Sequence, residues 1–182
     1  MPLVAAAERI LAVLEAHHAP SAAHSRRVAD LCAAVAGPSV WPAAAVHDCG
    51  KCLVSLAVLT APRALDALEY ACMKDHCWHG CAVLEAHLTL VPTDFLTACW
   101  THHERWDGSG YPRHLAGEEI PWLGRLIAVA DSYDAMREDR PYRVGLAHAV
   151  AIGELERGAG AQFDPALVVQ VIAVLEETER AA

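Results

Sequence analysis

Apolar positions recur at three- and four-residue steps along almost the whole chain, the spacing of one face of an α-helix. The first stripe, Leu3, Ile10, Leu11 and Leu14, predicts a helix over residues 2–17. Pro20 should end it, and Ser21 offers a side-chain oxygen to cap a second helix running to about residue 36. Gly37-Pro38-Ser39 reads as a turn, and a short helix then carries Trp41 to about Cys49. Further helices fit 64–74, 77–88, 93–102, 121–135, 145–157 and 165–180. The last has Asp164 as N-cap and Pro165 at the first helical position, where a missing N–H costs nothing. No stretch alternates with period two, so an all-α fold is expected. Residues 104–120 are rich in Gly, Pro and charge, and a long loop inside a compact helical domain is often functional.

Composition narrows the class. The 182 residues suit one domain, and 54% apolar residues exclude intrinsic disorder. Arg, Glu, Asp or His interrupts every apolar run before it reaches membrane-spanning length. The start, MPLVAAAERI, has Glu8 where a secretory signal would be apolar, so a soluble, cytoplasmic protein is expected. A net charge of −9 with no Lys/Arg block argues against long nucleic acid, which is held by counterion release. A small phosphate ligand stays open, because a metal ion supplies local positive charge. The seven cysteines are an odd number and point to a reducing compartment. Cys49-x-x-Cys52 and Cys77-x-x-x-Cys81 could be zinc ligands. The favoured reading is small core residues, since no Gly or Pro knuckle flanks Cys77.

Chemistry gathers around the histidines, of which there are 11. His24, His47, His76, His102 and His103 lie in or at the ends of predicted helices, Asp48 follows His47, and Asp131 interrupts the apolar run LIAVADSYDAM. One such Asp or His alone would be a satisfied core residue; jointly they read as a metal site. Neighbouring helical residues point about 100° apart. His47-Asp48 therefore suits a two-metal cluster, with the carboxylate bridging and the imidazole on one ion. Oxygen and imidazole ligands without thiolate favour iron, manganese or a similar divalent ion, and ion pairs of this kind recur in phosphoester hydrolysis. Lys51 follows Asp48 by three residues and could reach a phosphate oxygen, while Arg140 and Arg143 offer guanidinium forks for phosphate or a guanine edge.

Two strings make the chain recognisable. His47-Asp48-Cys49-Gly50-Lys51 resembles the HD-x-G-K signature of the HD phosphohydrolase superfamily. The run from His102 to Pro112, HHERWDGSGYP, resembles the rarer HHE-x-x-DG-x-GYP signature of the HD-GYP subfamily. Supporting strings keep family order: His24-Ser25-Arg26-Arg27-Val28, Met73-Lys74-Asp75-His76, Asp139-Arg140-Pro141-Tyr142-Arg143 and Gln162-Phe163-Asp164-Pro165. The resemblance implies a single-domain HD-type helical bundle with a long GYP loop, residues 20–182, preceded by a helix over 1–19 that packs on the core or forms a homodimer contact. It implies a bacterial phosphodiesterase cutting cyclic di-GMP to pGpG and on to GMP. His24, His47, Asp48 and Asp131 would hold one divalent ion, and Asp48 would bridge to a second held by His76, His102 and His103. A hydroxide bridging the ions would attack phosphorus. Lys51 would stabilise phosphoryl charge, and Tyr111, Arg140 and Arg143 would position the dinucleotide. The GYP loop is linked in that family to docking of GGDEF diguanylate cyclases.

Some positions depart from the family pattern. Pro20 stands where members with a third metal carry Glu, so two ions are expected. Ala61-Pro62-Arg63 replaces a usual Lys-Pro-Gly. His17, His18, His79, His87, His114 and His148 match nothing and read as structural or surface residues. Glu104 and Asp107 either orient ligands or order the loop. Two alternatives stay open: a catalytically weak cyclic di-GMP-binding or cyclase-docking module, and a phosphodiesterase for another cyclic dinucleotide or nucleotide.

Overall fold

In the computed structural model, which describes residues 2–139 and 144–181, the expected all-α architecture is found. Helix α1 spans Pro2–Ala36 with a break at His18, whose φ of −151° and ψ of 91° are not helical. Pro20 therefore lies in the first turn after the break, where an N–H would have no helical acceptor. The break, not Ser21, starts the second half: Ser21 is buried, with its Oγ 2.9 Å from His18 Nδ1. Both halves of α1 enter one core, the first through Ala7, Ile10 and Leu11 and the second through Val28, Ala29 and Cys32.

Helix α2 is shorter than the pattern predicts, Trp41–Ala45, and its three alanines are buried. The difference has a local cause. The Ala44 carbonyl, which an α-helix would offer to the Asp48 N–H, instead accepts from the His47 ring Nδ1 at 2.8 Å and from the His47 backbone. The chain leaves the helix at His47-Asp48 and tightens into a 3-10 turn, Cys49–Leu53. A short helix α3, Leu56–Leu59, follows where none was expected, with the Ser55 hydroxyl accepting from Ala57 N. Helix α4, Ala67–Lys74, starts at Asp66, which closes a reciprocal capping box with Glu69.

Helices α5 (His76–His87), α6 (Thr93–Thr101), α7 (Trp122–Arg137), α8 (His148–Gly158) and α9 (Pro165–Ala181) fall close to the predicted spans. As expected, Asp164 caps α9, its Oδ1 accepting from Ala166 N at 2.9 Å. Helix α1 packs on α2, α7 and α9, while α5 lies against α6 and the 49–53 turn. Leu84, Phe95, Leu126, Ile127, Leu155, Leu167 and Val171 fill the space between them. Alanine and cysteine take many of the core positions, which is how a chain with 6% aromatic residues still closes its core. Among the described residues no helix is long and apolar enough to cross a membrane.

Candidate active site

The residues singled out for chemistry come from five separate stretches and meet in one buried cluster. His24 is on the second half of α1, His47 and Asp48 in the turn after α2, and His76 at the start of α5. His102 and His103 follow the end of α6, and Asp131 lies mid-way along α7. Three rings are oriented by backbone. His47 Nδ1 lies 2.8 Å from Ala44 O, His76 Nδ1 2.5 Å from Met73 O, and His102 Nδ1 2.8 Å from Ala98 O. A carbonyl can only accept, so each Nδ1 carries the proton and each Nε2 turns a lone pair inward. The inward nitrogens of His76 and His102 stand 3.2 Å apart. Two lone pairs cannot satisfy each other. Nε2 of His47 and Oδ1 of Asp48 are likewise buried with no hydrogen-bond partner. Imidazoles held through their outer N–H with inner lone pairs converging are a donor set that suits a divalent cation.

Asp48, only 1% exposed, divides its two oxygens. Its Oδ1 faces His76 Nε2 at 3.3 Å and His102 Nε2 at 3.7 Å, while Oδ2 faces His47 Nε2 at 3.5 Å and His24 Nε2 at 3.8 Å. Two compact groups result: Asp48, His76, His102 and His103, and His24, His47 and Asp48. Asp131 reaches the second through His24 Nε2, 2.8 Å from its Oδ1. Burial alone would raise the Asp48 carboxyl, but the Lys51 ammonium beside it holds it well below the carboxylate range. Burial pushes His76 down to about 3 and also lowers His103. For His24 burial works in the same direction, yet hydrogen bonds to Asp131 and Asp134 outweigh it and raise the ring to about 9.

Lys51 contacts Asp48 Oδ2 directly, so its ammonium belongs to the cluster's edge. Tyr111 stacks on His103 with ring centroids 4.8 Å apart, and its N–H donates to the His103 carbonyl. The close return of the loop rests on Gly110, where a Cβ would lie 2.3 Å from Arg105 N. A cavity of about 620 Å³ opens over the cluster, lined by His24, Lys51, His76, His103, Tyr111 and Asp131 among others. That size accommodates a small organic ligand.

Glu104 and Asp107 order the loop. The buried Glu104 carboxylate accepts from Arg113 N at 2.7 Å and Leu115 N at 3.1 Å, and Asp107 Oδ1 accepts from the Ser109 backbone and hydroxyl. Glu104→Ala strands two loop amides and is expected to cost about 2 kcal/mol. Glu104→Gln, keeping one acceptor, should recover part of it. Urea midpoints read both, and an unchanged midpoint in the alanine variant would refute this role for Glu104.

Sequence reasoning missed three participants. Asp134, one turn beyond Asp131 on α7, binds His24 Nδ1 at 2.7 Å, and with Glu138 it clasps Arg27. The i+3 spacing from Asp131 was the available signal. His18, set aside as structural, lines the cavity at the α1 break. Arg140 and Arg143 lie outside the described residues. The core reading of the cysteines holds in part: Cys49, Cys77 and Cys99 are buried, with Cys49 Sγ 3.8 Å from Cys99 Sγ, whereas Cys52 and Cys81 are half-buried and Cys72 is exposed.

Comparison with known proteins adds independent findings. A family model described as HD domain matches residues 7–167. A cyclic di-GMP phosphodiesterase of Vibrio cholerae is 40% identical over 145 residues, 76% of this chain and 29% of that one. A 3′3′-cGAMP-specific phosphodiesterase of the same organism is 34% identical over 164 residues, covering 85% of this chain and 31% of its own. A cyclic di-GMP phosphodiesterase of Thermotoga maritima is 40% identical over 126 residues, 69% of this chain and 34% of that one. The chain thus spans about a third of the length of these relatives. Among solved structures, Bd1817, an HDG"Y"P protein from Bdellovibrio bacteriovorus, superposes with a TM-score of 0.67 at 18% identity, covering 85% of this chain and 52% of that one. That likeness is one of fold.

Proposed function

The chain belongs to the HD domain family, and from that premise we propose that it is a metal-dependent phosphodiesterase that opens the 3′–5′ linkage of cyclic di-GMP to give pGpG and then GMP. The observation that carries this reading is the division of Asp48 between two groups of imidazoles, one at each carboxylate oxygen. The converging lone pairs and the unpartnered atoms of His47 and Asp48 fit two divalent ions. His24, His47, Asp48 and Asp131 would hold one. Asp48, His76, His102 and His103 would hold the other. Imidazole and carboxylate donors favour iron or manganese. When bound, such ions supply Lewis-acid charge to phosphoryl oxygens and lower the pKa of water.

The chain's own residues do the rest. The backbone carbonyls of Ala44, Met73 and Ala98 fix three rings before any ligand arrives, so little reorganisation is needed during reaction. Lys51, on the cavity wall, adds positive charge beside the phosphodiester. Tyr111, braced on His103 and backed by the Glu104-ordered loop, orients the dinucleotide together with Arg140 and Arg143. We assign residues 20–182 to this catalytic domain, and the exposed Arg113 and His114 beside Gly110-Tyr111-Pro112 to a GGDEF docking surface. The second reading changes the substrate to 3′3′-cGAMP, favoured by the identity shared with a phosphodiesterase named for it.

The test is anaerobic purification with total metal analysis, then incubation with each dinucleotide and chromatography of the products. About two equivalents of iron or manganese are expected, with cyclic di-GMP converted to pGpG or GMP. A chelator should abolish conversion, and the metal should restore it. Full metal occupancy with both dinucleotides unchanged would overturn the catalytic reading in favour of a docking role.

A further inference from the structure

Helix α4 contributes Tyr70 and Met73 to the cavity wall, and none of its residues is buried. Its start is nevertheless firmly set. Beside the Asp66 capping box, Glu69 clasps Arg63 through two bonds of 2.6 and 2.8 Å. Tyr70, 49% exposed as a residue, follows directly and lines the cavity. Lys74, one turn further along the same face, holds its Nζ 5.2 Å from the Tyr70 ring centroid and 5.8 Å from that of Tyr111, which lines the cavity as well. Among the described residues Lys74 makes no ion pair and no hydrogen bond. Its charge is held between two aromatic faces and is not neutralised. The chain has only two lysines, and the other, Lys51, is engaged with Asp48.

An aromatic ring with one open face next to an unneutralised donor is a surface for a nucleobase. Stacking on tyrosine is indifferent to which base is present, because every base has a π-face. The edge contact is not indifferent. Guanine presents two acceptors side by side, O6 and N7, whereas adenine places an amino donor next to its N7. An ammonium group beside the stacked base therefore favours guanine. Asp131, Glu138 and Asp139 also line the cavity and are acidic.

We infer that Tyr70 and Lys74 form a base-reading wall in which Tyr70 stacks one base of the ligand and Lys74 selects guanine at that position. This rests on the cyclic-dinucleotide reading above and deepens it: a ligand with at least one guanine is accepted, and one with two adenines is disfavoured. The reading wall lies outside the His/Asp cluster, so base preference and turnover are separable.

Equilibrium binding of GMP and AMP to the metal-loaded protein tests the wall without a bond to cleave. The wild type should bind GMP more tightly than AMP. Lys74→Met should weaken GMP about tenfold and AMP less than about twofold. Tyr70→Ala should weaken both about fivefold or more. The ratio of kcat/KM for cyclic di-GMP over cyclic di-AMP should fall with Lys74→Met by the same factor as the binding ratio. A wild type that binds GMP no more tightly than AMP overturns the inference, as does a Lys74→Met variant that weakens both nucleotides equally. If no dinucleotide is hydrolysed but the GMP preference is present and is lost in Lys74→Met, the catalytic reading falls and the base-reading wall stands.

Discussion

Asp48→Ala is expected to reduce kcat by at least about 10²–10³-fold, the loss typical when one preorganised charge-stabilising group is removed, and to lower bound metal with it. The reason is positional. Among the described residues no other carboxylate faces both imidazole groups as Asp48 does, with Oδ1 toward His76 and His102 and Oδ2 toward His24 and His47. The substitution also removes the Lys51–Asp48 contact, at a site where the lysine is only 19% exposed. Removing one partner of a buried pair costs about 3–5 kcal/mol, so a lost fold could imitate a lost site. Asp48→Asn separates the two. It preserves the side chain's volume and one oxygen while removing the charge that draws cations. The expected pattern for Asp48→Asn is a cooperative urea transition close to wild type, fewer metal equivalents and a collapse of kcat. Full metal content and wild-type turnover in that variant would rule out the proposed bridging role.

Gly50→Ala should be the most damaging single-carbon addition, by about 3 kcal/mol. A Cβ at this position would stand 1.9 Å from the His76 carbonyl oxygen and 2.5 Å from Gly80 N. Both are helix backbone, which cannot swing aside as a side chain can. The 49–53 turn and α5 would have to separate; the turn follows directly on Asp48 and α5 begins at His76. Activity should therefore fall together with stability, unlike in Asp48→Asn. Gly153→Ala on α8 is the matched control. Its Cβ would meet only the end of Arg157 at 3.7 Å, so it should stabilise the helix by about 0.5–1 kcal/mol. Urea midpoints for the two variants should move in opposite directions. Equal midpoints would refute the packing account of Gly50.

The helices were legible because burial on one side imposes a 3.6-residue period wherever it occurs, and α5, α6, α7 and α9 end close to the predicted positions. Ends set by a side chain turning back on the backbone, or by a backbone break, were not. The early end of α2 depends on the His47 ring turning back to Ala44, and the restart of α1 depends on a break at His18 that Pro20 merely accommodates. In the site, adjacency and signature identified His47-Asp48 and His102-His103. Asp134 escaped, because a carboxylate on a helix carries no mark of whether its partner is water or a histidine 110 residues away.

By itself the sequence determined the fold class, the residue types available for chemistry and the loop that carries GYP. Those follow from local rules: periodicity, turn chemistry and side-chain functional groups. Only the tertiary structure decided which atoms of Asp48 face which imidazoles, that Glu104 serves the loop through two backbone amides, and that Lys74 sits between Tyr70 and Tyr111. Of these, the contacts of Asp48 with His24, His76 and His102 join segments distant along the chain. Their distances are set by how closely small residues let α1, α2, α5 and α7 approach, and no local pattern encodes that sum.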